Sequence, residues 1–312
     1  MPSRIPGPSE DTDSFAVIPC EAGFEDAAPG PASARLPITV VIPTLNEEHQ
    51  IQDAVFCSSE WADEVIVVDG GSNDDTIARA EAAGAKVFQF EGNNIGAQRN
   101  QGASNARNSW VFALDADERL SEELKKELRS VLNEARHTAY RVRMRNLYLG
   151  RERKRGRWGR DWHVRLHRRD LRFRETRVHE RLEDVPSTGT LLGAVLHTPY
   201  RDLSHHLAKM ITYARWGALD LHGRGRRATI RDLLWRPIWR FLRDYLLYGS
   251  FLDGRYGLLT SVLTGYSSFL KYAFLYELGN SDVPQGGLDS GRSSAPRKLR
   301  PPRSIRGPTS GA

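Results

Sequence analysis

The stretch FALDADERL, residues 112–120, runs an apolar segment (Phe112, Ala113, Leu114) straight into two aspartates one position apart, then into Glu118 and Arg119. In a strand the side chains at i and i+2 share a face, so extended geometry persisting through Asp115 and Asp117 would point both carboxylates the same way. Two like charges that close repel unless something positive sits between them. A plainer reading is a loop feeding a helix, because Ser121 followed by Glu122, Glu123 and Leu124 has the make-up of an N-cap with acids in the first turn. The neighbouring segments favour a functional acid pair.

Upstream, three further units share the plan of an apolar run followed by a polar turn and a helical pattern. LPITVVIPTLNEE predicts a buried strand over residues 38–42, ended by Pro43 and Thr44, with Glu47 and Glu48 opening a helix. ADEVIVVDGGSNDDTIARAEAAGAKVF predicts a strand over 65–68, a turn over 69–72, a helix over 74–83 and a strand over 86–90. A helix over 95–106 then leads into a strand over 110–114. Strands without alternation, separated by helices, imply a mostly parallel central sheet covered on both faces, with ligands bound beyond the carboxyl ends of its strands. Pro43, Thr44, Asn46 and Glu47 follow the first strand, Asp69 and Gly70 the second, and Asp115 and Asp117 the fourth.

Downstream of a predicted helix over 122–134, AYRVRMRNLYL alternates Tyr140, Val142 and Met144 with Arg141, Arg143 and Arg145, a half-exposed strand with arginines on one face. Further extended segments are WHVRLHRRDLRF and TLLGAVLHTPY; from there on helices are predicted over 204–221, 229–248 and 256–278, with Pro237 kinking or restarting the second.

The 312 residues carry a net charge of +6, with 27% charged and 39% hydrophobic residues, a balance suited to a soluble or peripheral protein. The basic excess is concentrated: residues 141–181 hold sixteen Arg and Lys against Glu152, Asp161, Asp170, Glu175 and Glu180. Such a field favours a polyanionic partner. Cys20 and Cys57 show no metal spacing and lie in unlike segments, so neither a metal site nor a disulfide scaffold is expected, and a reducing compartment fits. Residues 1–35 lack the apolar run of a secretory signal and, rich in Pro, Gly, Ser and acids, read as a disordered leader; residues 280–312 read as a disordered tail.

VIPTLNEE, VIVVDGGSNDDT, NNIGAQRNQGA and VFALDADE, in that order and at these separations, resemble the family 2 glycosyltransferases, which have the GT-A fold. GRDWHVRLHRRDLRFRETRVHERL and FLRDYLLYGSFLDGRYGLL further resemble the lipopolysaccharide core β-glucosyltransferase subgroup. The resemblance implies an α/β GT-A nucleotide-diphospho-sugar transferase domain over 36–200, with a nucleotide-binding half over 36–120 and an acceptor half over 121–200. It implies that Pro43, Thr44, Asn46, Glu47, Asp69 and Gly70 line the nucleoside pocket and that Arg99 approaches the donor's phosphates or sugar, where the residues alone would equally allow a solvated helix position. Asp117 would face a divalent cation, Mg²⁺ or Mn²⁺, with Asp115 beside it reaching the sugar or ribose. Hard cations of this kind take carboxylate oxygens and the substrate's own phosphates.

An inverting transfer also needs a base for the acceptor hydroxyl. Asp161 and Glu180 are the candidates, and Glu180 is preferred because nearby cations would keep it ionised; His179 is a candidate added metal ligand. The basic stretch contains no known nucleic-acid module, so no nucleic acid is expected, and phosphates of a lipid-linked acceptor or an anionic leaflet explain the charge. Residues 201–279 read as a C-terminal helical membrane-interface region. Its charge-free run over 256–270 falls short of the roughly 20 residues that span a bilayer, and Trp235, Trp239 and the arginines suit the headgroup layer; packing of this face on the catalytic domain or a second subunit is the alternative. The expected protein is an inverting enzyme moving a sugar from a nucleotide donor, first among them a UDP-sugar, to a lipid-linked or cell-envelope glycan, peripheral on the cytoplasmic face of the membrane. The competing readings are a nucleotidyltransferase of similar fold, disfavoured by the lack of a Gly-rich phosphate loop with a following Lys, and a non-catalytic protein that binds anionic glycans or nucleic acid.

Overall fold

The structure, a computed structural model, describes residues 35–92, 94–175 and 181–280. Its centre is one mixed sheet built from β1 (Leu36–Thr44), β2 (Ala62–Asp69), β3 (Lys86–Gln89), β4 (Trp110–Ala113), β5 (Glu118–Leu120), β6 (Ala139–Tyr148), β7 (Arg151–Glu152), β8 (Trp162–Arg168) and β9 (Thr188–His197). The strand order is β3-β2-β1-β4-β8-β6-β9-β5, with β7 paired to β6 outside this path. The first four strands are parallel to one another, as the uninterrupted apolar runs predict. From β8 onward the sheet is mixed: β8 runs antiparallel to β4 and β6, while β6 and β9 are parallel.

Helices α1 (Ile51–Ser59), α2 (Thr76–Ala82) and α4 (Glu122–Asn133) cover one face, where Ile38, Val40, Ile42, Val65 and Val67 meet Ile51, Val55, Ala80, Leu124 and Leu128. Helix α3 (Ile95–Asn105) covers the other, where Val41, Ile66, Val68 and Val111 meet Ala103 and Ala106. Successive residues of β1 and β2 thus feed opposite cores, which is why these strands carry no polar alternation. A Cβ at Gly102 would stand 2.3 Å from Val41 Cγ1, so α3 can lie this close to β1 only with glycine there.

Two boundaries differ from the sequence expectation. Strand β4 ends at Ala113, and the Glu118 N–H donates to the Asp115 carbonyl (3.1 Å), so Asp115 and Asp117 lie in a turn rather than in continued extended chain. The turn is held because the Glu118 carboxylate accepts the Asp115 N–H (3.0 Å). The plainer reading of FALDADERL, a loop feeding a helix, is the one realised here: Ser121 Oγ caps α4 at the Leu124 N–H (3.3 Å). Second, α1 starts at Ile51 rather than at Glu47, because the Glu47 N–H is tied to Thr76 Oγ1 (2.8 Å) and Asn46 adopts a left-handed φ of 57°. Strand β6 buries Tyr140, Val142 and Met144 and turns Arg141, Arg143 and Arg145 to its other face, as expected. Cys57, on α1, is disulfide-bonded, against the expectation from its setting in the sequence; its partner lies outside the described residues.

The C-terminal part is helical: α5 (Leu203–Gly223), α6 (Ile230–Leu242) with a wider turn over Arg243–Leu247, and α7 (Gly254–Asn280). Helix α6 opens on a capping box of Thr229 and Asp232 and runs through Pro237 without restarting. Tyr148, at the end of β6, packs with Met210 and Leu263, joining α5 and α7 to the sheet. No helix among the described residues is long and apolar enough to cross a membrane.

Candidate active site

The loops after β1, β2 and β4 meet at one rim of the sheet. Asp69, fully buried, holds the second loop with its own carboxylate: Oδ2 accepts the N–H groups of Gly71 (2.9 Å) and Ser72 (2.8 Å), and Oδ1 accepts the hydroxyls of Ser72 and, more weakly, Thr44 (3.4 Å). Asn46 laces the first loop to the second, donating its N–H to Ser72 Oγ (2.8 Å) and accepting the Asn73 N–H (3.0 Å). The Gly70 N–H donates to the Thr44 carbonyl (2.8 Å), and a Cβ there would stand 2.7 Å from Gln98 Nε2. Gln98 itself ties α3 to both strands through the Thr44 and Val68 carbonyls.

In the third loop Asp115 lies between two arginines. Arg99 Nη2, from α3, reaches its Oδ1 (2.7 Å), and Arg165 Nη2, from β8, reaches its Oδ2 (3.2 Å) and also the Glu118 carboxylate. Both arginine side chains are 5% exposed, and Arg99 also lies over the Phe173 ring. These two cations answer the repulsion that the sequence raised.

Asp117 faces a different partner. In the antiparallel pair of β5 and β9, Glu118 sits opposite His197. His197 Nε2 comes within 3.5 Å of Asp117 Oδ2, and its Nδ1 donates to Asn146 Oδ1 (2.7 Å). Asn146 Nδ2 in turn reaches the Trp158 carbonyl (2.9 Å) and Asp161 Oδ2 (3.5 Å), while Asp161 Oδ1 pairs with His163 Nε2 (2.9 Å). One ligand atom from each of Asp117, Glu118 and His197 fits within a mutual 4.8 Å, a geometry that can hold a metal ion. Two carboxylate oxygens suit Mg²⁺ or Mn²⁺, and the imidazole leans the set toward the transition metal.

The electrostatics fit the same use. Burial would raise the Asp117 carboxyl, but His197 together with Lys209 holds it below the usual range. Burial would lower the His197 imidazole, but Asp117, with Glu118 and Asp115 behind it, lifts it to about 9. Burial pushes the Glu118 carboxyl up to about 7 against Arg165, with Asp115 adding to the rise. A proton on His197 thus occupies a place in a carboxylate nest that a divalent cation can take. Glu47 is raised to about 7 by burial against Lys209, with Asp117 and Asp115 adding to the rise, which puts the first loop and α5 in the same field. Asp161 is lowered: burial opposes ionisation, but His163, Asn146 and His197 favour it.

The sequence profile of glycosyl transferase family 2 matches residues 39–186. An uncharacterized glycosyltransferase of Rickettsia typhi is 30% identical over 254 residues, 77% of this chain and 87% of that protein. The chain belongs to glycosyl transferase family 2. The lipopolysaccharide core biosynthesis glycosyltransferase LpsC of Rhizobium meliloti is 27% identical over 263 residues, 78% of this chain and 93% of that protein. A solved structure of glucosyl-3-phosphoglycerate synthase from Mycobacterium tuberculosis with Mn²⁺ and UDP-glucose aligns at 27% identity over 35% of this chain and 43% of that one, with a TM-score of 0.31. The GT-A expectation holds, and the protein is a glycosyltransferase.

In this glycosyltransferase the structure gathers Thr44, Asn46, Glu47, Asp69, Gly70, Arg99, Asp115, Asp117 and Asp161 at one rim, with Pro43 paired to Val68 just inside the sheet. Asp115 is engaged by Arg99 and Arg165, and the cluster that can hold a metal contains Glu118 and His197 beside Asp117. Glu180 and His179 lie outside the described residues. Sequence reasoning missed His197, Asn146, Arg165 and Lys209. His197 carried a usable signal, since LLGAVLHTPY places a histidine at the end of a predicted strand, the same position in a unit that Asp69 and Asp115 occupy.

Proposed function

We propose that this glycosyltransferase is inverting and metal-dependent, moving a sugar from a UDP-sugar to a lipid-linked or cell-envelope glycan at the cytoplasmic membrane face. The observation that carries the reading is the convergence of Asp117, Glu118 and His197 at the rim where the nucleotide-side loops end. The lipopolysaccharide name of one relative supports the acceptor class. Exposed Trp235, Trp239 and Ile238 on α6, beside Arg236 and Arg240, support a bilayer surface.

In this reading Asp117, Glu118 and His197 would hold the cation, which supplies Lewis-acid neutralisation of the charge growing on the departing diphosphate. The laced first and second loops give the nucleoside a rigid seat, with Asn46 and Glu47 at its edge. Arg99 and Arg165 keep the Asp115 carboxylate ionised and oriented toward the donor. Asp161, ionised beside His163, accepts the proton of the acceptor hydroxyl as that oxygen attacks the anomeric carbon and the bond to the diphosphate breaks. Asn146 links Asp161 to His197, so base and cation site share one hydrogen-bonded frame. Glu180, the base preferred from the sequence, lies outside the described residues and stands as the other candidate.

A panel of nucleotide sugars tests the reading by thermal protection in the presence and absence of Mn²⁺. A UDP-sugar is expected to give the largest Mn²⁺-dependent rise in melting temperature. No rise with any uridine or guanosine donor would overturn it.

A further inference from the structure

A cavity of about 380 Å³ opens between the segment after β7 and the turn that joins α6 to α7. Lys154, Arg155 and Arg160 line one side, and Leu247, Tyr248 and Leu252 the other. The acids nearest to it are already committed. Asp253 accepts from Arg153 Nη1 (3.1 Å) and from the Arg155 N–H (3.1 Å). Asp244 accepts the hydroxyls of Ser250 (3.1 Å) and Ser261 (2.7 Å) and the Arg157 N–H (3.2 Å). Among the described residues, the side chains of Lys154, Arg155 and Arg160 pair with no carboxylate. One more positive charge stands behind them: the Arg243 guanidinium lies over the Tyr248 ring at 5.6 Å, and Arg160 lies over the same ring at 6.0 Å. Burial lowers Arg240, and the charges of Arg157 and Arg243 lower it further, with Asp244 opposing them only in part.

The opposite lip is apolar and turned outward, with Leu247 65% and Leu252 61% exposed and Phe251 46% exposed beside them. A cationic recess under a protruding aliphatic lip fits a molecule that is anionic at one end and hydrocarbon at the other. A nucleic acid would instead call for stacking planes along a basic track.

The place of the cavity in the fold adds to the case. Arg160 ends a short 3-10 turn, Trp158–Arg160, and the next residue is Asp161, tied through Asn146 to His197. An anion on Arg160 is thus held one residue along the chain from Asp161, the proposed base.

We propose that this cavity receives the phosphate of a bilayer lipid, with Lys154, Arg155 and Arg160 on the phosphate oxygens and Leu247 and Leu252 against the first methylenes of its chains. The inference rests on the reading that the C-terminal helices lie at an anionic bilayer surface, and it gives that surface a specific receptor.

The test is co-sedimentation of the full-length protein with phosphatidylcholine vesicles doped with phosphatidic acid, or with oleate to the same surface charge. Wild type is expected to prefer phosphatidic acid. The double variant Lys154→Gln/Arg155→Gln, checked for an unchanged melting temperature, is expected to lose about 30-fold in partitioning to those vesicles, from about 1 kcal/mol per cation at a membrane surface. A control with the same net charge, Lys126→Gln/Arg136→Gln on exposed residues of and near α4, is expected to lose far less. Equal losses in the two double variants, or equal binding to oleate and phosphatidic acid, would overturn the receptor and leave the membrane reading standing. Failure of wild type to sediment with any vesicle would overturn both. A thermal shift with inorganic phosphate as large as with dioctanoyl phosphatidic acid would reassign the cavity to free phosphate, and displacement from vesicles by a short RNA would reassign it to nucleic acid.

Discussion

His197 Nε2 stands 3.5 Å from Asp117 Oδ2, where β9 pairs antiparallel with β5 just after the acidic turn. Neither residue alone defines a site; together with Glu118 they offer the oxygen, oxygen and nitrogen that a divalent cation needs. His197→Ala is therefore expected to reduce Mn²⁺ affinity by roughly 10–100-fold. Titration of Mn²⁺ against donor-dependent thermal protection reads this directly, and an unchanged titration would remove His197 from the cation site.

Arg165 serves two acids, Asp115 and the fully buried Glu118. Replacing it with methionine leaves the buried Glu118 carboxylate without its cation, while Asp115 keeps Arg99. Arg165→Met is expected to cost about 3–5 kcal/mol, measured as a lower denaturant midpoint with unchanged slope. A loss well under 1 kcal/mol would mean that Arg99 carries Asp115 alone and that Glu118 is neutral in the native state.

Asp161 lies in the same frame as His197 but touches none of the three groups that could hold a cation. Asp161→Asn is expected to lower turnover by about 10²–10⁴-fold, the usual range for a lost general base, while donor protection by UDP-sugar and Mn²⁺ stays close to wild type. If donor protection falls together with turnover, Asp161 acts through the cation site and the base must be sought at Glu180.

His167 is buried in β8, edge-on to Phe173 at 5.2 Å, with Nδ1 at the Arg168 carbonyl and no partner for Nε2 among the described residues. Burial pushes its imidazole down to about 4 from an ordinary 6.5. The unfolded chain binds a proton there below pH 6.5 that the native protein refuses until near pH 4, so stability falls as pH falls through this window. The loss is on the order of 3 kcal/mol when complete. His167→Phe is expected to flatten that part of the stability profile and to match or slightly exceed wild type at neutral pH, since an orphaned polar atom is removed. Thermal melts of the two proteins between pH 4 and pH 7.5 check it, and parallel curves would count against the assignment.

Much of the fold was legible along the chain because its signals are local. Apolar runs broken by polar turns marked β1, β2 and β4, Ser121 marked the start of α4, and the alternation of Tyr140, Val142 and Met144 with arginines marked β6. The turn at Asp115 was one of two readings, because aspartates fit a turn and a strand end alike, and the Glu118 carboxylate closing on the Asp115 N–H decided between them. The start of α1 was misplaced for a similar reason: Asn46 and Glu47 are held by Ser72 and Thr76 of another loop.

The sequence by itself determined the parallel nucleotide-side sheet, the acids at its rim and the family, since each depends on residues close together in the chain. Only the tertiary structure decided which acid meets which partner. Arg99 and Arg165 are separated by 66 positions and both close on Asp115, while His197 lies 80 positions beyond Asp117 and still faces it. Hydrophobic periodicity is repaid within one element, whereas charge pairing acts between whatever side chains the sheet order brings within a few ångströms.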